Sequence, residues 1–184
     1  MDRVVVVGAS LAGLRAAETL RNEGFGGEVV VVGAEQHRPY DRPPLSKKVL
    51  AGEWEPERIH LRQPDSFDEL DVEWRLGVAA AGLDPDEGIL HLTDGTDISF
   101  DGCIIATGAA CRRLPEQSRH EHVHELRTLD DSMRLRAELS DGDHHVVVIG
   151  AGFIGLEVAA TAKQLGNRVT VLEGAPAPLI RGLG

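Results

Sequence analysis

Two stretches of the chain repeat one pattern. Val4 to Val7 is a run of β-branched residues without polar alternation, the signature of a strand buried in a parallel sheet. Gly8-Ala9-Ser10-Leu11-Ala12-Gly13 follows, and Leu14, Ala17 and Leu20 then place an apolar stripe at helical spacing to about Asn22. Gly24, Gly26 and Gly27 end that helix, and Val29 to Val32 is a second continuous apolar strand. The same order returns from His145: an apolar strand over Val146 to Ile149, the turn Gly150-Ala151-Gly152-Phe153-Ile154-Gly155, a helix to about Leu165 stopped by Gly166-Asn167, and a strand over Val169 to Leu172.

Between the two units the pattern changes. Glu53 to Asp71 is charged and mixed, with Arg58 to Arg62 as a short strand and a helix near Pro64 to Leu70. From Val72 to Phe100 short alternating pieces are punctuated by Asp84-Pro85-Asp86-Glu87-Gly88 and Asp94-Gly95, turn signals that predict an antiparallel meander. Cys103 to Ala106 is a further buried strand, running into Thr107-Gly108. The fold class expected is α/β: two Rossmann-like dinucleotide-binding units with parallel sheets and a β-meander between them. Residues 1–111 would form one domain around the first unit and residues 112–184 a second around the other.

A strand, a glycine turn and a helix together make an anion site. Gly8 permits the tight turn, Gly13 lets helix and strand pack closely, and the middle position lets backbone approach a pyrophosphate at the helix N-terminus. That middle position is Ser10, a departure from the strict pattern, but serine is small. Gly33 stands where an acidic residue commonly ends the second strand, which leaves Glu35 to meet an adenosine ribose. The second turn satisfies G-x-G-x-x-G through Gly150, Gly152 and Gly155, and Glu173 ends its second strand. A carboxylate there accepts bonds from ribose hydroxyls and repels a 2′-phosphate, favouring NAD over NADP. Two dinucleotides in one chain suggest a flavin and a nicotinamide exchanging hydride. The Thr107-Gly108 turn, at the C-terminal end of a strand, is a further flavin neighbour or else an ordinary turn.

Composition narrows the class. The 184 residues are 42% apolar and carry a formal net charge of −11. That charge opposes general nucleic-acid binding and attraction to an anionic membrane face. No secretory signal pattern is evident at Met1-Asp2-Arg3, and no apolar run approaches the roughly 20 residues of a membrane helix. A soluble cytoplasmic protein is expected. Cys103 and Cys111 are spaced neither as a redox pair nor as a metal site, and both read as structural. His120, His122 and His124 would share one face of a strand, a possible metal site with no closing ligand, or else lie in a surface connection. Ser46 reads as a helix N-cap, which would put Lys47 and Lys48 in a first turn where cations oppose the dipole; Glu157, in the first turn of its own helix, would be favoured there.

Several segments carry a more specific signal: Val-Val-Gly-Ala-Ser-Leu-Ala-Gly at 6 to 13, Arg-Pro-Tyr-Asp-Arg-Pro-Pro-Leu-Ser-Lys at 38 to 47, Ala-Thr-Gly at 106 to 108, Leu-Arg-Thr-Leu-Asp-Asp at 126 to 131, and Gly-Ala-Gly-Phe-Ile-Gly-Leu-Glu-Val-Ala-Ala at 150 to 160. In order and over essentially the whole chain, they resemble the FAD-dependent, NADH-dependent ferredoxin, rubredoxin and putidaredoxin reductases. The resemblance implies that Ala12 lies near the FAD pyrophosphate, Ala34 and Glu35 by the adenosine ribose, and Arg127 at the ribityl and pyrophosphate region. It puts Lys47 near flavin N5, paired with Glu157 where nicotinamide stacks, and Gly152 and Gly155 at the NAD pyrophosphate with Glu173 on its ribose. Arg42, Ala80 and Ile154 complete the implied cofactor contacts.

The activity implied is hydride transfer from NADH to FAD, then single electrons to a ferredoxin or rubredoxin serving an oxygenase or cytochrome P450. Docking of such a partner would use a local basic patch, Arg38, Arg42 and Lys48 or Arg112 and Arg113. Relatives of the resembled family are longer, so this chain is expected to hold their N-terminal portion: residues 1–111 as an FAD-binding domain without its return segment and residues 112–184 as the first part of a truncated NAD-binding domain. It is expected to bind FAD weakly or not at all on its own, and a homo-oligomer or a complementing polypeptide is a further expectation. The alternatives are a nucleotide-binding module without turnover, and a flavoprotein of the NADH oxidase or nitrite reductase type.

Overall fold

The computed structural model describes residues 1–115 and 120–183. It resolves into two compact units, one of residues 1–41 and 60–109, the other of residues 42–59 and 110–183 within the described range. A single linear boundary at 111/112 leaves residues 42–59 with the first unit, whereas they pack with the second. The reason is local: Leu50 is fully buried among Leu135, Leu139, Val158 and Ala162.

In the first unit, β1 (Arg3–Val7), β2 (Glu28–Gly33), β3 (Glu73–Leu76) and a later strand, Gly102–Ile105, form a parallel sheet. Between β3 and that strand lie β4 (Ala80–Asp84), β5 (Ile89–Leu92) and β6 (Asp97–Ser99), a three-stranded antiparallel meander. With Gly102–Ile105 as β7, the parallel order is β3-β2-β1-β7. Helix α1 (Leu11–Asn22) covers one face through Ala17 against Val4, Val6, Val29 and Val31. The meander covers the other, with Leu90, Leu92 and Ile98 on Val5, Val7, Val30 and Val32. Both faces of β1 and β2 are therefore dry, which is why their sequences run apolar without alternation. Two readings need correction. Glu73–Leu76 joins the parallel sheet rather than the meander, because it pairs with β2. Arg58 to Arg62 is not a strand: Pro56 opens a 3₁₀ turn over Pro56–Ile59, and only His60 bridges, to Tyr40. A short helix, α2 (Pro64–Asp68), seats Phe67 on Leu14 and Leu70.

The second unit contains α3 (Leu129–Leu139), β8 (His145–Ile149), α4 (Phe153–Gln164), β9 (Arg168–Leu172) and a last short helix, α5 (Ile180–Leu183). β8 and β9 pair in parallel, His145 opposite Arg168 through Ile149 opposite Leu172. Val146, Val148 and Val169 pack inward on the core of α3 and α4. Val147, Ile149 and Leu172 lie on the other face and are at least half exposed. Asn167 ties the unit together from within: its side chain donates to the carbonyls of Leu139 in α3 and Ala162 in α4 and accepts from the His144 N–H just before β8.

Candidate functional site

Two helix tips and one ion pair make up the chemistry. At α1 the N-cap is Ser10, extended at φ −125 and ψ −162; at α4 it is Gly152, extended at φ −79 and ψ 179. Neither bonds its side chain into the helix, and neither helix has an acidic residue in its first turn. The first helical bonds are Leu14 N–H to Ser10 and Leu156 N–H to Gly152, so the earlier N–H groups have no carbonyl within the helix. Helix α3 is the contrast: Thr128 and Asp131 close a capping box over its tip. The α1 and α4 tips thus keep amide donors and the positive end of the helix dipole for an anion.

The glycines around these tips answer the turn geometry. Gly8 (φ +121) and Gly150 (φ +106) both occupy the left-handed side that side chains avoid. A Cβ on Gly13 would meet the Gly8 carbonyl oxygen at 1.8 Å, and one on Gly155 would meet that of Gly150 at 2.1 Å. Gly152 differs, since nothing lies within 4 Å of its Cβ position. That space leaves the backbone of the second turn open to approach, and the extended backbone of Ser10 shows why serine is accommodated at the matching position of the first turn. Ala12 is exposed on the first turn of α1, and Ile154 on that of α4.

The acidic groups after each second strand are held differently. Glu173 accepts from the Ala151 N–H at 2.7 Å and from the Ala175 N–H at 2.8 Å, which fixes its carboxylate against the second glycine turn. Glu35 accepts from the Tyr40 hydroxyl at 2.5 Å, a contact that the sequence reading missed. Ala34, Ala80, Thr107 and Gly108 are exposed beside their strand ends, and the Ala106 carbonyl oxygen lies against Gly8.

The ion pair lies wholly within the second unit. Lys47 Nζ donates to Glu157 Oε2 at 2.8 Å, and Ser46 Oγ donates to the same oxygen at 2.5 Å. These two bonds, Lys47 first, hold the Glu157 carboxyl below the usual glutamate range against the opposing effect of partial burial. Two helix readings are corrected here. Ser46 is the last residue of a 3₁₀ turn, Pro43–Ser46, and Lys47 caps its C-terminal end, because the proline pair starts the turn earlier. A cation at that end does not oppose the dipole. Glu157 is the fifth residue of α4, beyond the first turn, because the helix starts at Phe153. Nearby, Arg42 donates to the Arg127 carbonyl at 2.7 Å, and the Arg127 N–H donates to Asp131.

The other candidate groups fall outside this arrangement. Residues 120–126 are not a strand; His122 Nδ1 lies 3.4 Å and His124 Nε2 2.8 Å from Glu138. Among the described residues no group of His, Cys, Asp or Glu is placed to hold a metal ion. Cys103 and Cys111 are both free thiols, and burial pushes both up from the ordinary thiol range, with Glu125 and Asp131 adding to the shift at Cys111. No described helix is long and apolar enough to cross a membrane.

Comparison with known proteins agrees with this architecture. The family model for pyridine nucleotide-disulphide oxidoreductases matches residues 2–184. The ferredoxin–NAD(+) reductase subunit of the benzene 1,2-dioxygenase system of Pseudomonas putida is 40% identical over 184 residues, covering 100% of this chain and 44% of the relative. The ferredoxin reductase for the CYP199A2 system of Rhodopseudomonas palustris superposes with a TM-score of 0.92 at 38% identity, covering 100% of this chain and 45% of that one. Putidaredoxin reductase, solved in covalent complex with putidaredoxin, gives a TM-score of 0.90 at 37% identity, with the same coverage. The chain therefore spans less than half the length of these relatives. With two glycine turns on parallel strands, two uncapped helix tips and a family match along nearly its whole length, the chain belongs to the pyridine nucleotide-disulphide oxidoreductases.

Proposed function

We propose that the protein is an NADH-dependent ferredoxin reductase that uses FAD and passes electrons to a ferredoxin or rubredoxin. The observation that carries this reading is the pair of uncapped helix tips at α1 and α4, each following a glycine turn. FAD is assigned to the first turn, with Gly8, Ser10, Ala12 and Gly13 at its pyrophosphate and Ala34 and Glu35 at its ribose. Arg42, Ala80, Thr107, Gly108 and Arg127 are assigned to the rest of that cofactor. NAD(H) is assigned to Gly150, Gly152, Ile154, Gly155 and Glu173. A bound flavin would supply an acceptor of two electrons that releases them singly.

What the chain itself contributes is position and charge. Lys47 supplies a positive charge whose direction is fixed by Glu157, and Glu157 stays ionised because Lys47 and Ser46 both donate to it. The pair is assigned to the reacting edge of the flavin, where a fixed charge favours hydride arrival without reorganisation. Electrons are assigned to leave for a protein acceptor, since Cys103 and Cys111 are both free and residues 40–48 contain no cysteine. The relatives named for dioxygenase and putidaredoxin systems support this choice of partner.

The test is NADH-driven reduction of ferricyanide, and of cytochrome c only when a ferredoxin is added. Gly152→Ala is expected to leave the fold intact and to weaken NADH binding about tenfold or more, because its Cβ enters the space assigned to the pyrophosphate. NADH binding without turnover would assign a nucleotide-binding module instead. Cytochrome c reduction independent of ferredoxin would discard the proposed partner.

A further inference from the structure

The 3₁₀ turn that ends at Lys47 is poorly equipped to hold itself. It has four residues, two of them prolines without an N–H, and 3₁₀ bonds have weaker geometry than α-helical ones. Its C-terminal carbonyls are satisfied from elsewhere in the same unit. The Pro44 carbonyl accepts from the Lys47 and Val49 N–H groups. The Leu45 carbonyl accepts from Ser132 Oγ of α3 at 2.7 Å, and the Ser46 carbonyl from Thr161 Oγ1 of α4 at 2.9 Å. Both hydroxyl residues are buried, Ser132 at 0% and Thr161 at 4% exposure, so neither bond has water as a substitute.

These two bonds reach the backbone immediately before Lys47. Thr161 stands four residues after Glu157 on α4, hence one turn along the same face. One helix thus grips both the Lys47 ammonium, through Glu157, and the carbonyl that precedes Lys47, through Thr161. Ser132 adds a second anchor from α3, one residue earlier. We propose that Ser132 and Thr161 are positioning residues that fix the Lys47–Glu157 pair by bonding consecutive carbonyls of the turn carrying Lys47, an inference whose catalytic meaning rests on the role proposed for that pair. Neither hydroxyl is assigned to touch nucleotide or flavin; each acts through the turn.

The experiment uses the 184-residue chain with ¹³C-labelled glutamate carboxyls, the Glu157 signal being assigned by its loss in Glu157→Gln. Its titration reports the pair, because Lys47 is the charged group facing Glu157 and Ser46 its other donor. Ser132→Ala and Thr161→Val are each expected to move the Glu157 midpoint up toward the ordinary glutamate range. Ser132→Thr and Thr161→Ser, which retain the hydroxyl, should leave it depressed. Since the two substitutions lie on different helices, loss of folding in one still leaves the other decisive. An unmoved midpoint in either Ser132→Ala or Thr161→Val, in a variant that folds, overturns the proposal for that hydroxyl, whatever happens to melting temperature. In the same variants, NADH-driven ferricyanide reduction should slow about tenfold at unchanged KM for NADH, since sub-ångström misplacement acts on the reacting geometry. A moved midpoint with an unchanged rate would uphold the positioning and refute the role assigned to Lys47.

Discussion

The two glycine turns share a motif and differ in what surrounds them. A Cβ on Gly8 would lie 2.1 Å from the Ala106 carbonyl oxygen, whereas one on Gly150 would meet nothing within 4 Å. The first turn is pressed against the chain that follows β7; the second is open. The sheets differ in the same sense. Val5 in β1 is 0% exposed, between α1 on one side and the meander on the other, while Ile149 in β8 is 64% exposed on a face that no described element covers. One motif therefore serves two purposes. At Gly8 it satisfies backbone conformation and dense packing together; at Gly150 it satisfies conformation alone and leaves room.

The sharpest way to break this comparison is to add the same methyl group to both turns. Gly8→Ala should cost about 4 kcal/mol or more in urea denaturation, because strained φ and a backbone clash coincide. Gly150→Ala should cost only about 1–2 kcal/mol, the price of a left-handed φ. Equal losses would show that the packing difference has no energetic weight.

The sheets admit a smaller test of the same kind. Val5→Thr buries a hydroxyl without a partner and should cost about 1–3 kcal/mol. Val147→Thr, on the exposed face of β8, should remain within about 0.5 kcal/mol of the parent. A large loss at Val147 would mean that this face is covered in solution.

The smallest effect, and the one in which the units should agree, is acid sensitivity. At Glu18 burial works to raise the pKa, but hydrogen bonds from Arg62 and Arg15 outweigh it and hold the group low. Asp131 behaves likewise, burial being outweighed by bonds from Thr128, Arg127 and Arg134. Glu157 is lowered chiefly by Lys47. For each, the folded value lies below the unfolded one, so the stability it contributes is complete above the unfolded carboxylate range and is lost as pH falls through the depressed value. Denaturation midpoints should therefore fall on acidification in both units. Glu18→Gln should flatten that dependence in the first and Glu157→Gln in the second.

Much of this was legible in residue order. Val4 to Val7 and Val29 to Val32 announce a sheet covered on both sides, because only a strand dry on both faces dispenses with alternation. The glycine turns mark where two helices begin, with Ser10 and Gly152 as their N-caps. Other readings failed for identifiable reasons. Ser46 resembles an N-cap by residue type, but the preceding prolines start the turn sooner and make Ser46 its end. Glu73–Leu76 alternates like a meander strand, yet pairing with β2 drew it into the parallel sheet. The bond from Tyr40 to Glu35 left no periodicity to find, being a contact between a loop side chain and a strand end.

Local composition and spacing were enough to decide most of the elements and the starts of α1 and α4, since these depend on backbone preferences and on burial repeated every few residues; the resemblance to a family rested instead on specific segments such as residues 38–47 and 150–160. The pairing of Lys47 with Glu157 was already implied by that resemblance, but what holds the turn before Lys47 was decided only by folding. Thr161, which bonds the Ser46 carbonyl, lies more than a hundred residues away in the chain, and Ser132, which bonds the Leu45 carbonyl, nearly as far. Each is one ordinary residue on an otherwise ordinary helix. A hydroxyl or carboxylate acquires such a role from the few ångströms separating it from its partner, and that distance exists only once α3 and α4 have packed around residues 42–59.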